Sequence, residues 1–261
     1  TAPELKIHSG LRAPAVPDEN FADAQGRNSE VTRAAQQKLA PEWAAWSPDF
    51  SRHAAVILNY NGPAWPKPMQ AAFVAYVRGG GGVHVIHAAN NGFADWPEFN
   101  AMIGLGGWGG RTEKSGPYLR LRQSTWTKDL TPGRGGSHGA QHEFLVEAST
   151  PDHPILRGLP AKWMHAKDEL YASLRGPAET VTVLASALSD KTKEQEPMLM
   201  VIPYGQGRVF HTALGHYVDA VNGLGFQVTL ARGTEWAATG HVTQPVPADF
   251  PTAEKTSLRI P

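Results

Sequence analysis

The stretch from Ala54 to Ala89 constrains the fold more than any other part of the chain. "AAVILN" (54–59) is an unbroken apolar run of strand length, the pattern of a strand covered on both faces. "KPMQAAFVAYVRGGGG" (67–82) then places Met69, Phe73, Tyr76 and Val77 on one helical stripe, and glycines end it. "VHVIHAA" (83–89) is a second buried strand. Strand, helix and strand within about 35 residues form a βαβ unit and predict a parallel sheet.

Further strands are expected at "YLRLR" (118–122), "EFLVEA" (143–148), "TVTVLASA" (180–187), "PMLMVIP" (197–203) and "RVFHTAL" (208–214). Helices are expected at "TRAAQQKLAPEWAAW" (32–46), interrupted at Pro41, and at "GFQVTLARGTEWAATG" (225–240). Residues 1–31 read as an irregular arm, rich in Pro, Ala, Asp and Asn without apolar period. No repeat or linker divides the rest, so residues 1–261 are read as one domain, long enough for a substantial core.

Charge and composition narrow the partners. Lys+Arg and Asp+Glu both number 24 and no block of like charge stands out, which argues against nucleic acid and anionic membrane. No apolar run approaches the roughly 18–20 residues of a membrane span. The chain has no cysteine, which excludes disulfides, a thiolate nucleophile and cysteine-ligated zinc. "TAPELK" carries no signal peptide; a periplasmic or secreted location is favoured if one has been removed, a cytoplasmic one otherwise. Eight tryptophans in a glycine- and proline-rich chain suit aromatic-lined loops that hold a sugar, and equally suit packing.

In open α/β sheets, ligands bind beyond the carboxyl ends of the strands. His87 closes "VHVIH" and His216 follows "RVFHTALG", so both fall there. His84, three residues before His87, is expected mid-strand on the opposite side, hydrogen-bonded or at the surface. "HAKDELY" (165–171) supplies His165, Asp168 and Glu169; "DHPI" (152–155) reads as a turn with a structural His153. "GSHGAQHEF" (136–144) holds His138 and His142 four apart, but Gly135, Gly136 and Gly139 make a zinc-binding helix face improbable. His138 is the better site candidate of the two. "GLGGWGG" (104–110) follows a short helix and lacks a phosphate-binding lysine, so no nucleotide cofactor is expected; no G-x-S-x-G elbow is present.

Taken in order, "YVRGGGGVHVIHAAN", "DHPILRGLP", "KDELY" and "GQGRVFHTALGH" resemble the trehalose-utilisation (ThuA-like) family, over residues from about 50 to 240. That resemblance implies a fold like the class I glutamine amidotransferases: an α/β, flavodoxin-like three-layer sandwich, its sheet mainly parallel with helices on both faces. It also implies a place in sugar catabolism, with a small-molecule carbohydrate as substrate. Amidotransferases carry a cysteine at the turn after the strand that here reads "VHVIH"; this chain has His87 near that position, so amide hydrolysis through a thioester is excluded. His216 lies near the amidotransferase histidine. The usual first strand with its His-Asp-Trp turn is missing, and "LKIHSG" (5–10) with His8 is the nearest substitute.

On this reading His87, Glu169, Asp168 and His216 are the catalytic candidates, and Trp96, Trp108, Arg111, Gln141 and His165 the substrate-binding ones. His87, His138 and His216 form a candidate site for a divalent metal (zinc, manganese, iron or nickel), with Gln141, Glu143 or Asp168 supporting them. A metal-free histidine cluster doing acid–base work stays open beside it, as does a non-catalytic carbohydrate-binding or scaffold module on the same fold. The sugar, the reaction (hydrolysis, elimination or isomerisation) and the oligomeric state are left open.

Overall fold

The computed structural model describes residues 40–62 and 64–259. The N-terminal arm, His8 and residues 32–39 of the first expected helix lie outside the described residues. The described residues begin with α1 (Ala40–Ala45), where Pro41 sits in the first turn and the missing N–H breaks no helical bond. Next come β1 (Ala55–Leu58), α2 (Lys67–Arg78), β2 (Gly82–Ile86) and α3 (Pro97–Ile103). After them follow β3 (Tyr118–Arg122), β4 (Thr125–Asp129), β5 (His142–Ala148), β6 (Lys162–Asp168), β7 (Thr182–Leu188), β8 (Gln195–Tyr204) and β9 (Gly207–Thr212). The helices α4 (Tyr217–Asn222) and α5 (Leu224–Thr239) complete the order.

Among the described residues, seven strands form one sheet in the order β1-β2-β9-β8-β7-β5-β6. The expected parallel unit is present: β1 pairs with β2 and β2 with β9, all parallel. The other four pairings, β9–β8, β8–β7, β7–β5 and β5–β6, are antiparallel, so the sheet is mixed rather than mainly parallel. The reason lies in the connections. β8 and β9 are joined by Gly205 and Gln206 alone, and a two-residue link returns the chain antiparallel. Gly205 takes φ +60° in that turn.

β3 and β4 form a separate hairpin. β4 is absent from the sequence reading because "TWTKD" is mostly exposed and polar. Its turn, Gln123 and Ser124, has φ +47° and +64° and lacks the Asn-Gly signature of such turns. In α2, Phe73 and Val77 are buried and Met69 and Tyr76 pack beside them, as the stripe predicts.

Alternation along the central strands separates two environments. His84 of β2 and Phe210 of β9 face α5, whose Thr234 bonds the His84 ring. His211, the next residue on β9, turns the other way and donates from Nδ1 to the Ile103 carbonyl at the end of α3. The sheet curls strongly. β6 stands four strands from β9 in pairing order, yet Asp168 at its end accepts hydrogen bonds from the Gly215 and His216 amides just past β9.

Candidate functional site

The carboxyl ends of β2, β9 and β6 meet at one place because of that curl. His87 leaves β2 with φ +43°, a left-handed conformation unfavourable for a residue with a Cβ. The bend swings its ring off the strand and over Tyr171, 4.0 Å between centroids, and next to His216, 4.9 Å away. His87 Nδ1 donates to the Ala213 carbonyl at 2.8 Å, so the proton sits on Nδ1 and Nε2 presents a lone pair. That Nε2 is buried without a hydrogen-bond partner among the described residues. Burial holds the His87 pKa below the usual histidine range, against the pull of the nearby Asp168 carboxylate.

Glu169 is buried at the centre of the cluster. Its Oε2 lies 2.8 Å from His216 Nδ1 and 4.0 Å from His87 Nε2, and its Oε1 lies 3.8 Å from His138 Nδ1. Despite the short contact with Glu169, His216 Nδ1 makes no hydrogen bond among the described residues. Two nitrogens therefore converge on one carboxylate oxygen without bonding to it. His87, Glu169 and His216 offer ligand atoms that all lie within 4.8 Å of one another.

Asp168, next along the chain, is fully buried and has a different task. It accepts from His165 Nε2 at 2.9 Å, from the Glu169 amide at 2.8 Å, and from the Gly215 and His216 amides at 2.8 and 3.1 Å. Four donors at one carboxylate lock the backbone on which Glu169 and His216 ride. His165, also fully buried, packs on Phe144 and supports Asp168 from behind.

The glycine-rich loops form the rim. Gly106 and Arg175 exchange two backbone hydrogen bonds, and Ser137 and Ala172 do the same, so both loops are stitched to the segment after "KDELY". Gly136 has φ +87°, and a Cβ there would lie 2.6 Å from Trp108 N, so no other residue fits the stitch. Trp108, itself at φ +49°, lies 4.6 Å from Tyr171 and 5.9 Å from His138.

The expected site residues divide accordingly. His87, Glu169 and His216 come together. His138 stands across Glu169 with Nδ1 turned to the Gly139 carbonyl, and Glu169 takes the place given to it in the expected ligand set. Arg111 is buried, and all four of its terminal N–H groups go to the Asn91, Gly92 and Gly107 carbonyls and Asn100 Oδ1. Trp96 is buried in an aromatic cluster with Trp65, Phe93 and Phe99. Gln141 is half-buried in the loop entering β5, and no hydrogen bond among the described residues ties it to the cluster. His142 turns to the Ala140 carbonyl and faces Asp190 at 3.9 Å. His153 does occupy a turn. Tyr171 and Asn91 escaped the sequence reading, although Tyr171 lies inside "KDELY" and Asn91 directly follows "YVRGGGGVHVIHAAN". A tyrosine after "KDEL" has no spacing signal of its own.

A family described as ThuA, trehalose utilisation, matches residues 47–237. The crystal structure of a putative ThuA-like protein from Parabacteroides merdae ATCC 43184 is 47% identical, with a TM-score of 0.81 over 83% of this chain and 81% of that one. A second putative ThuA-like protein, from Bacteroides uniformis ATCC 8492, shares the fold at 19% identity and a TM-score of 0.50, over 84% of this chain and 89% of that one. No match is found among curated protein sequences.

Proposed function

This chain belongs to the trehalose-utilisation (ThuA) family, and on that premise we propose that it is an enzyme of carbohydrate catabolism, acting on a glycoside or keto-sugar through a divalent metal held by His87, Glu169 and His216. One observation carries the reading: His87 Nε2 and His216 Nδ1 both approach Glu169 Oε2 without a hydrogen bond. Ligands about 2.1 Å from one ion stand roughly 3.0 Å apart at right angles and about 4.2 Å apart when opposite. The distances of 2.8 and 4.0 Å fit one coordination sphere. Imidazole and carboxylate donors suit zinc, manganese, iron or nickel.

When bound, such an ion polarises a sugar ketone or hydroxyl, or ionises a water near neutral pH. The residues do the rest. The Ala213 carbonyl keeps His87 in the tautomer with a bare Nε2, and Asp168 holds Glu169 and His216 in register. Glu169 is the buried carboxylate placed to take a proton from water, a hydroxyl or a C–H beside a ketone. Trp108, half-buried at the rim, offers an apolar face to a sugar ring.

The test is elemental analysis of purified protein with turnover of a panel of glycosides and 3-keto-glycosides, before and after chelation. About one transition metal per chain and turnover lost on chelation, restored on adding the metal, are expected. Full turnover by metal-free protein overturns the metal and leaves the three residues as an acid–base cluster. No turnover of any panel member under either condition overturns the enzyme.

A further inference from the structure

The hairpin of β3 and β4 leaves a cleft of about 460 Å³ between itself and the sheet. Leu121 and Trp126, partners across the hairpin, line one side, and Glu147, Ser186 and Gln195 of β5, β7 and β8 line the other. Protein layers ordinarily pack with few voids larger than a water molecule, whereas this space has the volume of a small-molecule site. It shares no lining residue with the cluster of His87, Glu169 and His216.

The fold sets the height of the hairpin over the sheet. Arg122 makes paired hydrogen bonds to Glu194 at 2.6 and 2.7 Å, and Arg120 donates to Glu196 at 3.0 Å, which ties β3 to the start of β8. At the base of the hairpin, Arg175 lies over the Tyr118 ring at 3.8 Å and donates to the Gly116 and Thr131 carbonyls. Both ends are fastened, and the space between stays open.

Three polar groups around the cleft lack partners. Trp126 Nε1 and Gln195 Oε1 are buried without a hydrogen bond among the described residues, and the hydroxyl of buried Ser186 makes none either. One donor, one acceptor and one hydroxyl able to play both parts are therefore left open. Leaving a buried polar group unbonded is costly, so a ligand that supplies these bonds is favoured. Charge, by contrast, is already matched. Glu147 takes Lys162 Nζ at 2.7 Å and Gln195 Nε2 at 3.2 Å, and among the described residues no arginine or lysine lines the cleft. An anion would meet the Glu147 carboxylate with no cation on the walls, and a cation would have to displace Lys162. A compact ring with hydroxyls at its edge and an apolar face for the indole satisfies both sides.

We propose that this cleft is a ligand site separate from the histidine–glutamate cluster, and that it takes a neutral polyhydroxylated ring of monosaccharide size. The ring lies against Trp126, with its hydroxyls on Ser186 and Gln195. The site is read through binding alone and does not depend on the proposed reaction.

The experiment is calorimetric titration of the full chain with D-glucose, D-galactose and myo-inositol, with glucose 6-phosphate as the charged control. The proteins are the wild type, Ser186→Ala, Thr182→Trp and Glu169→Gln. Thr182 is exposed at the mouth of the cleft, so a tryptophan there blocks entry without entering the core. Melting curves check each fold, and Thr182→Trp decides alone if Ser186→Ala does not fold. At least one neutral compound should bind the wild type and Glu169→Gln equally. Its affinity should fall about tenfold in Ser186→Ala, the effect of one lost buried hydrogen bond, and by more in Thr182→Trp. Glucose 6-phosphate should bind at least about tenfold more weakly than glucose. No binding of any neutral compound, binding that survives either cleft substitution, or binding that depends on Glu169 overturns the site. Equal binding of glucose 6-phosphate overturns the neutral class of ligand. None of these results bears on turnover at the cluster, whose loss would be read separately.

Discussion

β2 and β9 each present two histidines with opposite fates. His84 and His211 lie within the strands, fully buried; both ring nitrogens of His211 and Nδ1 of His84 are held by the fold, while His84 Nε2 has no hydrogen-bond partner among the described residues. Thr234 donates its hydroxyl to the Leu230 carbonyl, so its oxygen accepts from His84 Nδ1. His211 gives Nδ1–H to the Ile103 carbonyl and takes the Asn90 amide on Nε2. His87 and His216 lie just beyond the same strands, and each leaves a nitrogen unbonded next to a buried carboxylate. Residue type and strand are shared. What separates the two groups is the buried carboxylate beside the unbonded nitrogen: Glu169 stands within 4.0 Å of His87 Nε2 and His216 Nδ1, and among the described residues no carboxylate lies as near to His84 Nε2.

The sharpest break of this comparison is at Glu169. Glu169→Gln keeps the shape of the cluster and removes its charge. Turnover should fall by about 10²–10⁴-fold, with metal retention reduced and Tm little changed. A large loss of Tm with turnover intact would place Glu169 with the structural group.

Acid titration sharpens the other half. Burial lowers the pKa of His84 to about 3 and of His211 to about 4, with the neighbouring His211 ring adding to the fall at His84 and the His87 ring to that at His211. In the unfolded chain both titrate near about 6.5. Below that pH the unfolded state binds protons that the folded state refuses, so stability falls as pH drops from about 6.5 toward 4 and is fully present above. Each contributes up to about 1.4 kcal/mol per pH unit within the window. His153, half-buried with a pKa near 4, adds a smaller part in the same direction. Denaturant melts between pH 7 and pH 4 measure the slope, which should be shallower in His211→Leu. An unchanged slope in that variant would remove His211 from the account.

Asp168→Asn probes the link between the groups, since it keeps the side-chain volume but offers its four donors a neutral, half-donor partner. A stability loss of roughly 1.5–3 kcal/mol is expected, the value of hydrogen bonds to a charged group. It should come with weaker metal retention and lower kcat rather than higher KM, the mark of a positioning role. The smallest effect is expected at His142, which faces exposed Asp190 and lies outside the cluster. His142→Ala should leave turnover unaltered and stability within about 0.5 kcal/mol.

Much of this was legible from the chain itself. The apolar runs at 54–59 and 83–89, with the amphipathic stripe between them, determine a parallel pair and its crossover helix, because burial of those faces allows little else. Histidines placed just past such strands come together in the structure, as their position predicts, and the absence of cysteine rules out a thiolate there. The rest depended on contacts between residues distant in sequence. The antiparallel return from β8 to β9 follows from a two-residue link whose geometry no apolar pattern encodes. Glu169 replaces His138 beside His87 and His216 because the sheet curls until Asp168 can take the Gly215 and His216 amides, some 47 residues away in the chain. Arg111 and His165 read as substrate contacts, but an arginine ringed by carbonyls and a histidine behind an aspartate look the same in sequence as reactive ones. Tertiary structure alone decides which polar groups have their hydrogen bonds met inside the fold and which are left for a ligand.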